Sequence, residues 1–362
     1  MKAIAVTPKE EKSARMVEVP VPKVGDDEVL VKVRLVGLDG TDREIDEGLY
    51  GDPPEGENFL IIGHESLGEV VKVGGEVQTL RPGDRVVATV RRPDDCLNCR
   101  AEEYDMCLAG NYTERGIKGR HGYLSEYYVE EEKFLMKVPK VLGDLAVLLE
   151  PISVAEKAVR MAFSVQERMR WEPKTAMVTG TGTLGLLTAA ILRLGGLAVA
   201  SVDRSDDDRK EEIFSVLGVT HFNAKMVNLH DIPKELGCQI DLIVEETGSS
   251  TVALHSMMVV GTNGVVVLTS ITGGDKKMEI CSDCFNQGLV LGNKAVVGSV
   301  NAHRRDFKEG IGHLLTIENR WPGLLRKLIT ARYPPEKIRE ALDSMKGNIK
   351  VVIEFEPQKV SR

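Results

Sequence analysis

The sequence predicts an α/β chain of two domains: a mostly-β domain first, with a doubly wound parallel sheet inserted after it. Three observations carry this. The chain has 362 residues, too many for one ordinary hydrophobic core. Its opening portion, up to Glu150, holds β-branched or alternating runs parted by glycine and proline. From Thr175 onward short apolar runs alternate with helical patterns, the rhythm of strand and crossover helix.

The elements follow in order. Residues 28–33 and 84–90 read as strands of the first domain. The pattern changes near Glu150. Residues 176–179 then form a strand, 184–194 a helix and 197–202 the next strand. Residues 242–244, 265–268 and 296–300 supply further strands. After Asn301 the pattern changes again, and 349–355 reads as a strand returning to the first domain. The expected domains are therefore 1–154 with 304–362, and 155–303. No internal repeat or low-complexity tract interrupts them.

Composition narrows the function. At 42% hydrophobic and 28% charged, the chain reads as a soluble globular protein. A formal charge of −8 argues against broad nucleic-acid binding, since a phosphate backbone selects basic surfaces. No apolar run reaches the length that spans a bilayer, and residues 1–6 lack the apolar core and cleavage site of a secretion signal. A cytoplasmic location without a membrane partner is expected.

Gly180-Thr181-Gly182-Thr183-Leu184-Gly185 is a complete dinucleotide-binding fingerprint. Such a run is weak alone, because glycines also mark ordinary turns. Here it follows a strand-like run and opens a helix-like one, the context it requires. Gly180 permits the tight turn, Gly182 lets the backbone approach a pyrophosphate, and Gly185 lets helix and strand pack closely. The helix opening at Thr183 and Leu184 offers its amides to the anion. Asp203 lies roughly 20 residues further on, where a carboxylate accepts both ribose hydroxyls of NAD and repels a 2′-phosphate. Arg204 and Ser205 follow at once and favour that phosphate. NAD is therefore the expected preference, with NADP accepted. Thr247, Leu268, Ser270 and Asn301 complete the expected cofactor contacts.

Ahead of the fingerprint stand the ligand types of an open catalytic zinc site: Asp39, His64, Glu65 and, far downstream from these, Glu150. Such a site takes about three protein ligands and leaves a position for water or substrate. His64 and Glu150 are the strongest candidates. Asp39 is less usual, thiolate being the commoner partner of zinc in alcohol dehydrogenation. Glu65 is either an intermittent ligand or a group that orients the metal from behind. Singly each has a plain alternative: Asp39 and Asp42 as turn caps, His64 as a satisfied core histidine, Glu150 as surface. Jointly they point to zinc. A metal site first and a nucleotide fold second is the order of a zinc-dependent hydride-transfer enzyme.

On these residues the chain resembles the zinc-dependent medium-chain dehydrogenase/reductase superfamily over its whole length. Within that group it is similar to the archaeal-type glucose dehydrogenases. Residues 37–44 and 63–66 (GHES) carry the first resemblance; 112–119, 150–157 and 298–303 point to the sugar-oxidising branch. The resemblance implies a GroES-like catalytic domain, a Rossmann NAD(P)-binding domain, and Asp39, His64 and Glu150 as metal ligands with Glu65 nearby. Asp39 stands where the superfamily usually has cysteine, a substitution known in this branch. A carboxylate is a harder ligand than thiolate, so zinc should be held more loosely.

The same resemblance implies Glu114, Glu150, Asn301 and His303 as substrate-binding residues, and Thr41 as substrate contact and proton relay. Glu114 has a plain alternative, pairing with Arg115 or Lys118 on a solvated loop. The implied reaction is oxidation of an aldose at C1, D-glucose to glucono-1,5-lactone above all. A polyol, alcohol or threonine dehydrogenase of the same superfamily is the first alternative. A non-catalytic nucleotide-binding protein is the remote one, and Thr41 beside the metal candidates argues against it. A homo-oligomer, dimer or tetramer, is expected.

Three of the cysteines, Cys96, Cys99 and Cys107, keep the spacing of a structural zinc lobe. The superfamily's further cysteine falls at Pro93, which cannot be a ligand, and Asp94 or Asp95 is expected to replace it. Cys281 and Cys284 are spaced similarly but lack a second pair, and read as ordinary thiols on a helix. Without a secretion signal, metal ligands and free thiols are expected in preference to disulfides.

Overall fold

A computed structural model describes residues 1–355. By its contacts the chain divides into two compact units. The first comprises Met1–Ser153, Asn301–Leu315 and the described residues from Leu328 onward; the second comprises Val154–Val300 and Thr316–Lys327. Residues 304–362 are expected together in the first, yet Thr316–Lys327 packs with the second, where Lys327 Nζ lies 2.5 Å from a Glu212 carboxylate oxygen.

The first unit is built on a seven-stranded sheet. Its order is Leu135–Lys137, Arg85–Ala88, Glu65–Val73, Glu28–Leu38, Lys350–Glu354 and Ile329–Tyr333, with Tyr127–Glu131 also paired to Glu28–Leu38. The long strand Glu28–Leu38 is the axis. Val29, Val31 and Val33 are buried and alternate with part-exposed Leu30, Lys32 and Arg34; from Leu35 every residue is buried. The alternating half pairs with Glu65–Val73 on one side and Tyr127–Glu131 on the other; in the fully buried half Gly37 lies opposite Glu65 and Leu38 opposite Val351. Two glycines shape this end. A Cβ on Gly37 would collide with Glu65 Oε2, so the carboxylate folds over the strand only because no side chain is there. Gly63, at φ +86°, turns the chain into His64, and a Cβ there would stand 2.7 Å from Leu124 Cγ.

The second unit carries a six-stranded parallel sheet. Its order is Thr220–Asn223, Ala198–Asp203, Thr175–Thr179, Leu242–Glu245, Val265–Leu268 and Ala295–Gly298. Thr175–Thr179 and Leu242–Glu245 are buried throughout, as central parallel strands are. The winding reverses between these two strands, and in such sheets ligands bind at the carboxyl ends beside that reversal. Thr220–Asn223 is the strand the sequence does not reveal. It is polar and has no fully buried residue, so no apolar run marks it. No helix among the described residues is long and apolar enough to cross a membrane.

Candidate active site

The metal candidates lie in the first unit. Asp39 caps the helix Gly40–Asp46, accepting from the amides of Thr41 (2.9 Å) and Asp42 (3.3 Å), while Asp42 Oδ2 accepts from the Asp39 amide at 3.1 Å. The plain capping role is therefore real, and it aims the other carboxylate oxygen: Asp39 Oδ2 lies 3.5 Å from His64 Nε2. Ligand atoms of Asp39, His64 and Glu65 all fall within 4.8 Å of one another. Glu150, in the first turn of the helix Leu149–Gln166, is buried outside that tight set but near enough to act on His64 electrostatically.

Glu65 has a partner that sequence reasoning missed. Lys350 Nζ donates to both its oxygens at 2.7 and 2.6 Å and to Leu38 O at 3.1 Å, and both side chains are buried. The signal was a lysine opening the strand Lys350–Glu354, directly before the apolar run 351–353. Of the two roles expected for Glu65, this pairing favours orientation over ligation. Asp42 was noted only as a cap. It is fully buried, and its Oδ1 accepts from the Gly63 amide at 3.0 Å and lies 4.0 Å from His64 Nδ1.

The donor set fits a divalent cation. Burial opposes charge on His64, but Asp39, Asp42 and Glu150 outweigh it and raise the imidazole well above its ordinary value. Burial, reinforced by Glu65 and Asp39, pushes Glu150 up to about 8 against the pull of His64. Asp42 is pushed up to about 7, chiefly by burial. Without a cation the cluster must hold protons to offset its acids; a cation removes that need. His64 Nδ1 is buried without a hydrogen bond, facing the Asp42 carboxylate that would orient it as a ligand.

Beside this cluster Thr41 Oγ1 donates to Asp39 Oδ2 at 3.2 Å, and the Tyr50 hydroxyl bonds Thr41. Glu114 is not a solvated partner of Arg115 or Lys118. Arg115 pairs with buried Glu130, Lys118 Nζ donates to Gly110 O at 2.7 Å, and Glu114 Oε1 instead accepts from Arg91 Nε (3.0 Å), Arg91 Nη2 (2.9 Å) and Asn301 Nδ2 (3.0 Å). Asn301 reaches it from a left-handed backbone (φ +60°), which asparagine tolerates. His303 Nδ1 accepts from the Arg305 amide at 2.9 Å, and its ring clusters with Glu103 and Asp105, whose backbone carbonyl accepts from Arg91 Nη1 at 3.2 Å.

Asp94, Cys96, Cys99 and Cys107 bring their ligand atoms within 4.8 Å of one another. The Cys107 thiol donates to Asp94 Oδ2 at 3.0 Å, whereas Asp95 is exposed and pairs with Arg100 at 3.6 Å. Of the two replacements for the missing cysteine, Asp94 is the one in place. Cys281 and Cys284, expected as free thiols, are joined as a disulfide. The capping position of Cys281 brings its sulfur over the first turn of Ser282–Leu291, within reach of Cys284.

In the second unit the fingerprint forms the turn between Thr175–Thr179 and the helix Thr183–Leu194. Gly180 adopts φ +91°, and a Cβ there would stand 2.8 Å from Glu246 O. A Cβ on Gly185 would collide with Gly180 O, while Gly182 faces open space and leaves room for an approaching phosphate. Thr183 and Leu184 open the helix. Beyond the turn, Glu245 ties together the expected cofactor contacts at two strand ends. It accepts from the Thr247 amide (2.8 Å) and hydroxyl and from Ser270 Oγ (2.7 Å), and Leu268 is its neighbour in the sheet.

Asp203 is already engaged. Its carboxylate accepts from the Thr181 hydroxyl, from Lys210 Nζ at 3.0 Å and from the Ser205 amide at 3.0 Å, while Arg204 is exposed beside it. Lys210 was not anticipated. Glu246 sits behind the glycine turn: Thr188 Oγ1 donates to its Oε1 at 2.8 Å, and its Oε2 is out of water without a hydrogen bond, 3.0 Å from where a Cβ of Gly185 would be.

Comparison with known proteins gives the lineage. Residues 25–140 match the alcohol dehydrogenase GroES-like domain and residues 143–355 the glucose dehydrogenase C-terminus. The chain is 45% identical to a glucose 1-dehydrogenase of Methanocella arvoryzae, over 98% of this chain and 99% of that one. It is 39% identical to a glucose 1-dehydrogenase of Thermoproteus tenax, over 98% and 100%. The glucose dehydrogenase of Haloferax mediterranei, solved with NADP, zinc and gluconolactone, superposes with a TM-score of 0.90 at 36% identity, covering 99% of this chain and 100% of that one. By family models along most of its length and relatives along nearly all of it, this chain belongs to the glucose dehydrogenases of the zinc-dependent medium-chain dehydrogenase/reductase superfamily.

Proposed function

We infer that this chain is a zinc-dependent, NAD(P)-dependent glucose 1-dehydrogenase that oxidises the C1 hydroxyl of D-glucose to glucono-1,5-lactone. The observation that carries the reading is the meeting of Asp39, His64 and Glu65 in one cluster, with buried Glu150 acting on it and Thr41 bonded to Asp39. The Haloferax relative, solved with zinc, NADP and gluconolactone, supports the same metal, cofactor and product class here.

Asp39, His64 and Glu150 hold the zinc in this reading. Bound there, zinc supplies Lewis acidity toward the C1 hydroxyl, and the nicotinamide supplies the hydride acceptor. Thr41 relays the hydroxyl proton, since its Oγ1 already donates to Asp39 and bonds Tyr50. Asp42 orients His64 through Nδ1, and Lys350 holds Glu65 in place behind the ligands. Glu114, fixed by Arg91 and Asn301, receives sugar hydroxyls, a task for which a carboxylate suits because it accepts more than one hydrogen bond. The glycine turn and the first amides of Thr183–Leu194 hold the pyrophosphate. Asp94, Cys96, Cys99 and Cys107 hold a second, structural zinc.

Both NAD and NADP are accepted in this proposal. Asp203 favours the NAD ribose, while Lys210, paired with it, offsets its repulsion of a 2′-phosphate. Self-association, dimer or tetramer, is supported by the edge strand Ala295–Gly298 with exposed Val296. The decisive assay follows reduced nicotinamide with glucose, sorbitol, ethanol and threonine, before and after chelation. Chelator-sensitive turnover with glucose is expected, and turnover confined to a polyol or to threonine overturns the substrate assignment.

A further inference from the structure

The CxxC of the second unit takes no part in the metal sites or in cofactor binding as assigned above. Cys281 and Cys284 are both exposed, with Cα atoms 5.3 Å apart, and they are bonded to each other. The pair opens the ten-residue helix Ser282–Leu291. Cys281 is its cap, and Cys281 Sγ accepts the amide of Cys284 at 3.3 Å. A disulfide closing so short a loop removes little chain entropy and is a poor staple. Exposed disulfides of this kind are the ones that exchange. A sulfur at a helix amino terminus with an amide directed at it is better held as thiolate than a sulfur on an open surface.

We propose that Cys281 and Cys284 form a two-electron thiol–disulfide exchange centre, whose reaction partners are small-molecule disulfides and thiols of the glutathione class. In the oxidising direction the Cys281 thiolate attacks one sulfur of the small disulfide. A Cys281–sulfur bond forms, the small disulfide bond breaks, and one small thiolate leaves. The Cys284 thiol then loses its proton to water and attacks Cys281 Sγ, expelling the second small thiolate. The protein dithiol is oxidised, the small disulfide is reduced to two thiols, and the reverse sequence reopens the pair.

Cys238 is the internal comparison, because it is exposed and free. The fully reduced, zinc-loaded protein is treated with oxidised glutathione, and its peptides are mapped by mass. In the wild type the 281–284 peptide is expected to close into its own disulfide with no glutathione retained, while Cys238 keeps one. Cys284→Ser should trap glutathione on Cys281 about tenfold faster than on Cys238. Cys281→Ser should react at Cys284 no faster than at Cys238. The proposal is overturned if the wild-type pair stays reduced or carries glutathione on both sulfurs. It is also overturned if trapped Cys281 reacts no faster than Cys238. The wild-type map alone decides the first point, so the test survives a variant that fails to fold.

Discussion

At the scale of single residues, two buried ionisable groups, Glu246 and Lys350, make opposite demands. Burial, with Glu245 adding to it, pushes the Glu246 carboxyl up to about 8 from its ordinary 4.5, against the Thr188 hydrogen bond. The folded chain therefore keeps a proton there that the unfolded chain releases near 4.5. Between those values the native state binds more protons, so this residue's contribution to stability falls as pH rises from 4.5 to about 8 and is level above. Glu246→Gln, which cannot ionise, should match the wild type near pH 4.5 and exceed it by more than about 1 kcal/mol at pH 9. Denaturant unfolding at both pH values checks this, and a difference independent of pH would mean the carboxyl is not held protonated. Lys350→Met poses the reverse case. It leaves Glu65 buried without its ion-pair partner and should cost about 3–5 kcal/mol, with added zinc restoring part of the loss. Melting curves of the metal-free and zinc-loaded variant measure both quantities.

At the scale of elements, the cysteine lobe and the turn after Ala198–Asp203 each hold one residue whose role is separable. Asp94→Ala removes the carboxylate that meets Cys107, while the Asp39–His64–Glu65 cluster is untouched. One metal equivalent per chain should be lost and the melting temperature should fall, by about 2–4 °C for each kcal/mol. Zinc content of wild type and variant after the same dialysis is the measurement, and equal contents would remove the structural zinc. Lys210→Met should lower kcat/KM for NADP at least about tenfold more than for NAD, because a charge-assisted bond to phosphate is worth roughly 1.5–3 kcal/mol. Equal losses with the two cofactors would place Lys210 away from the 2′ position.

At the scale of the whole molecule, the parallel sheet ends in a strand that lacks an outer neighbour among the described residues. Ala295–Gly298 leaves Val296 39% exposed, and Leu291 and Val300 are exposed near its two ends. A row of unpaired backbone groups beside apolar side chains invites a second copy. Val296→Lys should therefore lower the mass measured by light scattering from that of an oligomer to that of one chain. A wild type already monomeric at the same concentration would remove self-association from the proposal.

The two-part fold, the glycine turn, the sheet strands with apolar runs and the chemical types of the candidate site residues were legible in the sequence, because each depends on spacing or periodicity within a short window. His64 and Asp39 were visible as ligand types, and Cys96, Cys99 and Cys107 as a spaced set. What the sequence left open was which groups partner them. Glu65 reads as an intermittent ligand until Lys350, hundreds of residues away, is brought against it by strand pairing. Glu114 reads as a surface residue until Arg91 and Asn301 converge on one of its oxygens. Asp203 reads as a free ribose acceptor until the helix Asp208–Leu217 delivers Lys210. Asp94 and Asp95 are equal on paper, and only the fold turns one toward the thiols and the other toward solvent. Local chemistry fixes what a side chain can do. Which charge is neutralised, and by what, depends on long-range packing, since a buried group takes its partner from whatever strand or helix the core places beside it.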